Sequence, residues 1–368
     1  MTKIDIDFRK FPITRYQGSK RKIVSWIYEN VKDLKFKTAL DGFGGSATVS
    51  YLFKKMGKHV TYNDKLHFNY LIGKALIENQ SVKFLDEDLV TLKEKHSKTD
   101  YPGVVQRNFK NIYYLKKENE WLDLIAPNIL QMNHYTPPAL DYKKAIASYA
   151  LFQSCLIKRP FNLFHRKNLN LRTANVERNF GNKTTWDKSF DNYLTKFIGE
   201  ANSLVFNSGA NCISLNESIF NLDENGYDLV YLDPPYLRNE ASKEASNYLA
   251  YYHFLEGLSH YSTWEEMIDY SKGHLPLKQI STQNDFSAAS AKEKFEEMLY
   301  KFKRSKIILS YKKGGEPSID YLVKLMKKIK RNVSTKSTQY SYALNRQNGD
   351  AKFNREVLII GTWPCLII

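Results

Sequence analysis

Asp233-Pro234-Pro235-Tyr236 is the stretch of this sequence richest in chemical possibility. It closes an apolar run at residues 228–232, so its polar end is expected at the carboxyl edge of a sheet, where ligands bind in open α/β folds. Two consecutive prolines remove two amide donors and fix φ twice, which leaves a stiff backbone that offers acceptors rather than donors. An amino group conjugated to a purine ring is a poor nucleophile because its lone pair is delocalised. Acceptors on both of its N–H bonds, here the Asp233 carboxylate and the Pro234 carbonyl, localise the lone pair and aim it at an activated methyl for in-line transfer. Such a step calls for neither a metal nor a covalent enzyme intermediate. If such an amino group belongs to a base inside a duplex it is out of reach, so the base would have to swing out, and Tyr236 supplies a ring face on which it can stack. The bland use of the same residues is a Pro-Pro turn with a capping Asp after a core strand.

A second island can hold the donor. In Asp41-Gly42-Phe43-Gly44-Gly45-Ser46-Ala47, three glycines and two small residues let bare backbone approach a nucleoside. Asp64 follows nineteen positions after Gly45, at the end of the next expected strand, where an acid in doubly wound sheets accepts from a ribose diol. A nicotinamide cofactor uses the same constellation. The full Gly-x-Gly-x-x-Gly is missing, however, and Phe43 sits inside the turn.

These islands need elements to carry them. Ile23, Ile27 and Val31 recur at helical spacing behind Ser19, so Arg15-Tyr16-Gln17-Gly18-Ser19-Lys20 reads as a loop feeding a helix over residues 19–31. A strand at Thr38–Asp41, a helix over 46–56 ended by Gly57 and a strand over 59–62 complete a βαβ unit. After about residue 92 the alternation dissolves into polar, aromatic and basic segments. It returns near 205, with strands expected at Cys212–Leu215, 228–232, 307–310 and 357–361. The expected fold is α/β, a Rossmann-like doubly wound core built from residues 1–92 and 205–368, with a mainly helical domain inserted at 93–204.

A chain of 368 residues with a formal charge of +16 favours a polyanionic partner, nucleic acid first, although lysine can also serve solubility alone. Cys155, Cys212 and Cys365 are scattered and form no Cys-x-x-Cys pair, which argues against a metal site or disulfide framework and fits a reducing cytoplasm. No apolar run reaches the roughly 20 residues of a membrane span.

The islands resemble those of the Dam-like adenine-N6 DNA methyltransferases, in the order cofactor half, inserted recognition domain, catalytic half. The resemblance implies S-adenosylmethionine as donor, double-stranded DNA as substrate and a possible cognate restriction endonuclease. It assigns Tyr16, Gly18 and Lys20 of the N-terminal motif, the Asp41, Phe43 and Gly45 turn, Asp64 and Asp233 to the cofactor, and Asp233, Pro234, Pro235 and Tyr236 to catalysis. A fourth island, residues 161–170, is similar to the family's Phe-Asn-Gly-x-x-Arg hairpin that meets DNA. The chain departs from the family at Ala47, where a second motif glycine is usual, and at Leu163, where the hairpin has glycine. The family acid that contacts the cofactor adenine falls near Asn216-Glu217-Ser218.

Between Lys158 and Lys188 eight basic residues face two acids, interleaved with Phe161, Phe164, Phe180 and Trp186. Lys158, Arg159, Asn162, Arg166, Asn170 and Arg172 are the candidates to neutralise phosphates and read base edges. A solvated basic face over an aromatic core would look the same in sequence. Lys324, Lys327, Lys328, Lys330 and Arg331 read as a solvated helix face, and His253 and His260 as packed or surface histidines. Substrates other than DNA adenine (RNA, cytosine or protein glutamine) and a non-catalytic DNA-binding role remain alternatives.

Overall fold

A computed structural model describes residues 6–174, 182–235, 247–278, 286, 290–340 and 355–363. Tyr236, Glu177, Arg178, Phe180 and Cys365 lie outside the described residues. The chain forms two compact units, one of Met1–Lys65, Ser208–Asn247 and Ile280–Ile368, the other of Leu66–Asn207 and Tyr248–Gln279.

The first unit is built on a seven-stranded sheet: β1 Thr38–Asp41, β2 His59–Asn63, β3 Cys212–Leu215, β4 Leu229–Leu232, β5 Lys306–Lys312, β6 Asn332–Gln339 and β7 Arg355–Thr362. Their order is β3-β2-β1-β4-β5-β7-β6. The first five run parallel, and β7 and β6 are antiparallel to their neighbours. β4 is buried along its whole length, as its unbroken apolar run requires of a central parallel strand. Successive side chains point to opposite faces. Val230 joins Ile307, Leu309 and Ile359 under the helices Ala291–Lys301 and Ile319–Ile329. Tyr231 turns the other way and packs edge-on against Phe53 of α2, Thr48–Lys55, which follows α1, Val24–Val31.

The strand order reverses between β1 and β4, and Asp41 pairs with Tyr231 there. The chain therefore leaves β1 at the glycine turn and β4 at the Asp233 corner on adjacent strands of one sheet edge. That crevice is where doubly wound folds bind ligands.

Six expected strands are present and one was missed. β6, Asn-Val-Ser-Thr-Lys-Ser-Thr-Gln, is exposed along nearly its whole length and so lacks the period-2 apolar signal; its β-branched residues and Lys336 suit an edge strand. Lys330 corrects the reading of a fully solvated basic face. It is buried, its Nζ donates to the carbonyls of Lys303 and Ser305, and burial lowers its pKa to about 8.

The second unit is mainly helical. Lys116–Gln131, Ala139–Ile157, Phe190–Leu204 and Tyr248–Ser259 are its longest helices. Aromatic rings fill its centre: Phe164 stacks on Phe254 at 4.9 Å, and Trp264 meets Phe109 at 4.9 Å. Where sequence placed the insert at 93–204, this unit also takes in residues 66–92 and 248–279. Glu256 accepts from the amides of His67 and Phe68 at 3.0 and 3.1 Å, and Phe68 packs on Phe152 and Tyr252. The helix His67–Gly73 is thus bound to its helical neighbours by caps and rings that a change in composition does not register.

Candidate active site

The turn after β1 is tight for identifiable reasons. Gly42 N–H donates to the Tyr231 carbonyl at 3.0 Å and Gly44 N–H to the Asn63 carbonyl at 2.8 Å, which fasten the turn to strands on both sides. A Cβ on Gly44 would sit 2.1 Å from the Tyr62 ring, and one on Gly45, at φ +45°, would sit 2.9 Å from the ring of Tyr16. Tyr16 from the N-terminal loop and the glycine turn are therefore brought together. Phe43 is half-buried against the sheet core and 5.9 Å from the Phe286 ring.

Ala47, where the glycine was expected, holds φ +61°. The left-handed backbone persists without glycine, and α2 starts at Thr48 rather than at Ser46 because of it.

Asp41 is buried, and its Oδ2 accepts from the Ser50 amide at 3.1 Å and the Ser50 hydroxyl at 2.7 Å. Its Oδ1 has no hydrogen-bond partner among the described residues. Burial raises its pKa to about 7, with the neighbouring Asp233 adding to the rise. A buried carboxyl oxygen without a partner among the described residues, beside a bare-backbone turn at the sheet edge, fits a nucleoside-bearing ligand that offers an N–H group.

Asp64 stands nearby and accepts from Gly45 N–H at 2.9 Å, while the Tyr62 hydroxyl donates to the Gly45 carbonyl at 3.0 Å. Two asparagines lock this edge, Asn63, which sequence did not single out as a site residue, and Asn216, from the stretch expected near the cofactor adenine. Asn63 donates to the carbonyls of Gly42 and Glu217 and accepts from the Glu217 amide. Asn216 donates to the carbonyls of Asp64 and Lys65. The Asn216 amide is committed to backbone, and Glu217 is exposed on the same loop.

Across the crevice, Asp233 is 18% exposed and Lys20 Nζ lies 2.6 Å from its Oδ2; the Lys20 side chain is 3% exposed. Burial works against the Lys20 charge, but Asp233 and Glu356 outweigh it and the pKa is raised. Gly18, at φ +84°, makes the turn that brings Lys20 in, and its carbonyl accepts from Lys20 Nζ at 3.3 Å. Pro234 is buried and Pro235 half-buried. Glu356 and Ser310, part of this network, escaped sequence reasoning; the only signal was an acid at the head of an apolar strand.

In the second unit the structure divides the DNA-binding candidates. Arg159 is 2% exposed, and its guanidinium donates to the carbonyls of Leu163, Lys167 and Arg166 at 3.1, 2.8 and 2.6 Å while lying 4.5 Å over the Tyr113 ring. Burial lowers its pKa to about 10. Lys158 is buried too, 2.9 Å from Glu118 and donating to the Trp186 carbonyl, and Arg172 pairs with Glu118 at 2.7 Å. As the structure holds them, these three cations turn inward onto protein groups, so of the six candidates Lys158, Arg159 and Arg172 are the ones engaged within the protein.

Arg166 and Asn170 are exposed and Asn162 half-exposed. The expected hairpin is a turn at Pro160–Asn162 with left-handed Phe161 and Asn162, and Leu163 is buried in the aromatic core where the family motif has glycine. His253 is a packed histidine: it contacts the Tyr113 hydroxyl at 2.9 Å, and burial lowers its pKa to about 3.

A glycine turn closed by a ring, an acid at the end of the neighbouring strand and a donor-poor corner across the switch point define the doubly wound, nucleoside-cofactor class of group-transfer enzymes. The chain belongs to the D12 class of N6 adenine-specific DNA methyltransferases, whose family model matches residues 16–307. It is 27% identical over 360 residues to Type II methyltransferase M2.HphI of Haemophilus parahaemolyticus, covering 95% of this chain and 98% of that protein. It is 26% identical over 271 residues to Type II methyltransferase M.FokI of Planomicrobium okeanokoites, covering 67% of this chain and 37% of that protein. Its activity is thus N6 methylation of adenine in DNA, with a methyl donor of the S-adenosylmethionine type. RNA, cytosine, glutamine and nicotinamide chemistry fall away as readings. Among the described residues no helix is long and apolar enough to cross a membrane.

Proposed function

We propose that the chain takes S-adenosylmethionine itself as donor and methylates the amino nitrogen of an adenine flipped out of a short, specific duplex sequence. The observation that carries this reading is the register of Asp41 against Tyr231, which sets the glycine turn and the Asp233 corner side by side. Tyr16, Gly18, Lys20, Asp41, Phe43, Gly45 and Asp64 would hold the donor, with the open oxygen of Asp41 taking up one of its N–H groups. When bound, the cofactor supplies an electrophilic methyl on a sulfonium. The Asp233 carboxylate and Pro234 carbonyl accept from the adenine amino group and direct its lone pair, Pro235 keeps that corner rigid, and Tyr236 stacks on the base.

Arg166, Asn162 and Asn170 are the candidates left to meet DNA from the basic segment. The names of the relatives, type II methyltransferases, support a restriction-modification setting; a cognate endonuclease and a cytoplasmic location are proposed with that setting. The test is to incubate the full chain with S-adenosylmethionine and duplex DNA of mixed sequence, digest to nucleosides and weigh the products. N6-methyldeoxyadenosine is expected; a methylated cytosine, or no product, would overturn the proposal.

A further inference from the structure

Asp233 is the end of a buried chain of charges. Lys20 Nζ lies 2.6 Å from Asp233 Oδ2 and 3.4 Å from Glu356 Oε1. Glu356 is 0% exposed at the start of β7, opposite Lys312, and its Oε1 accepts from the Ser310 hydroxyl of β5 at 2.6 Å. The loop that brings Lys20 is held as well, because the Tyr340 hydroxyl donates to the Ser19 carbonyl at 2.6 Å.

A carboxylate with no access to water carries a large desolvation cost, and nothing in the hydrophobic core needs one. The lysine that grips the proposed acceptor is an ionic partner of this carboxylate, at 3.4 Å. Lys20, Asp233 and Glu356 together carry one net negative charge. Were Lys20 to face Asp233 alone, the pair would be neutral and the carboxylate a weaker acceptor.

We propose that Glu356 is a positioning residue for methyl transfer: with Ser310 it fixes Lys20 between two carboxylates, so that Lys20 orients Asp233 without neutralising the site. The inference rests on Asp233 as the acceptor for the adenine amino group, proposed above. The amino nitrogen would bond to the methyl carbon while the carbon–sulfur bond breaks with its electron pair kept by sulfur, so that nitrogen gains positive charge until it gives up one of its protons to solvent. An acceptor whose lysine is shared with a second carboxylate stabilises this better than one paired with that lysine alone.

The test uses the full chain with duplex DNA and S-adenosylmethionine between about pH 5 and pH 8, the range over which a carboxylate acceptor shapes the rate. Glu356→Gln is expected to lower kcat about tenfold or more and leave both KM values within about twofold, the signature of an interaction that matters in the transition state. Asp41, beside Asp233 and with a pKa of about 7, shares the acid limb of the pH profile; losing a nearby negative charge makes Asp233 easier to ionise, so that limb should move to lower pH. Ser310→Ala keeps both charges and is expected to give a smaller kcat loss without moving that limb.

A folded Glu356→Gln with wild-type kcat, or one losing rate with the acid limb unmoved, overturns the proposal. Should Glu356→Gln fail to fold, wild-type kcat in Ser310→Ala overturns it. Asp233→Asn is measured alongside. If Asp233→Asn is inactive while Glu356→Gln is normal, only the positioning role fails; if Asp233→Asn turns over normally, the acceptor reading fails and the positioning role with it.

Discussion

The edge of the sheet and the basic segment at 158–172 both drew notice in the sequence for their polar residues, and the structure treats them in opposite ways. At the sheet edge the chosen side chains converge: Tyr16 lies on Gly45, Asp64 accepts from Gly45, and Lys20 grips Asp233. In the basic segment Lys158, Arg159 and Arg172 turn inward onto carbonyls and Glu118, leaving Arg166 and Asn170 outside. The sheet-edge motifs are backbone motifs, whose spacing already fixes where the chain must turn. A count of cations carries no such information, and a guanidinium beside aromatic residues can serve a loop as readily as a phosphate.

This contrast breaks most decisively at arginine. Arg159→Ala would leave three carbonyls without their shared donor and should cost about 3 kcal/mol or more, read as a lowered midpoint in denaturant unfolding. Arg166→Ala should leave the midpoint unchanged, weaken DNA binding and reduce the slope of log affinity against log salt by about one. If Arg166→Ala unfolds the protein and Arg159→Ala does not, the division between inward and outward cations is wrong.

A second effect, smaller, belongs to the sheet edge. The Asp41 pKa is raised from 3.8 to about 7 by burial, so the folded state holds its proton more tightly than the unfolded chain does. Its contribution is complete below about pH 4 and is lost as pH rises through about 7. Wild type should therefore lose melting temperature relative to Asp41→Asn as pH is raised across that window. Parallel pH profiles of the two melting temperatures would show that the buried carboxyl does not titrate as described.

The smallest effect lies at Ala47, where an L-residue holds φ +61°. Ala47→Gly should stabilise the protein by about 1 kcal/mol, the strain of a left-handed non-glycine residue. Destabilisation in thermal melts would mean that the turn does not carry that strain.

The six strands legible in the sequence are those whose burial writes itself as an apolar run. β6 was not, because an edge strand with both faces wet has no such run. The second unit reached beyond 93–204 because Glu256 caps the helix at His67, and long-range caps leave no local signature. In the site, the islands at 16–20, 41–47, 64 and 233 were legible in sequence as groups that the sheet edge then brings close together. The residues that hold those in place, Asn63, Ser310 and Glu356, were not. Each acts across strands that are distant in sequence, and an asparagine or serine at a strand end is ordinary until its partner is known.

Single-turnover methyl transfer by Asp233→Ala, with duplex affinity measured in parallel, tests the acceptor corner most directly. Loss of detectable transfer with DNA affinity close to wild type is the expected result. Transfer at an undiminished rate would contradict the role given to Asp233.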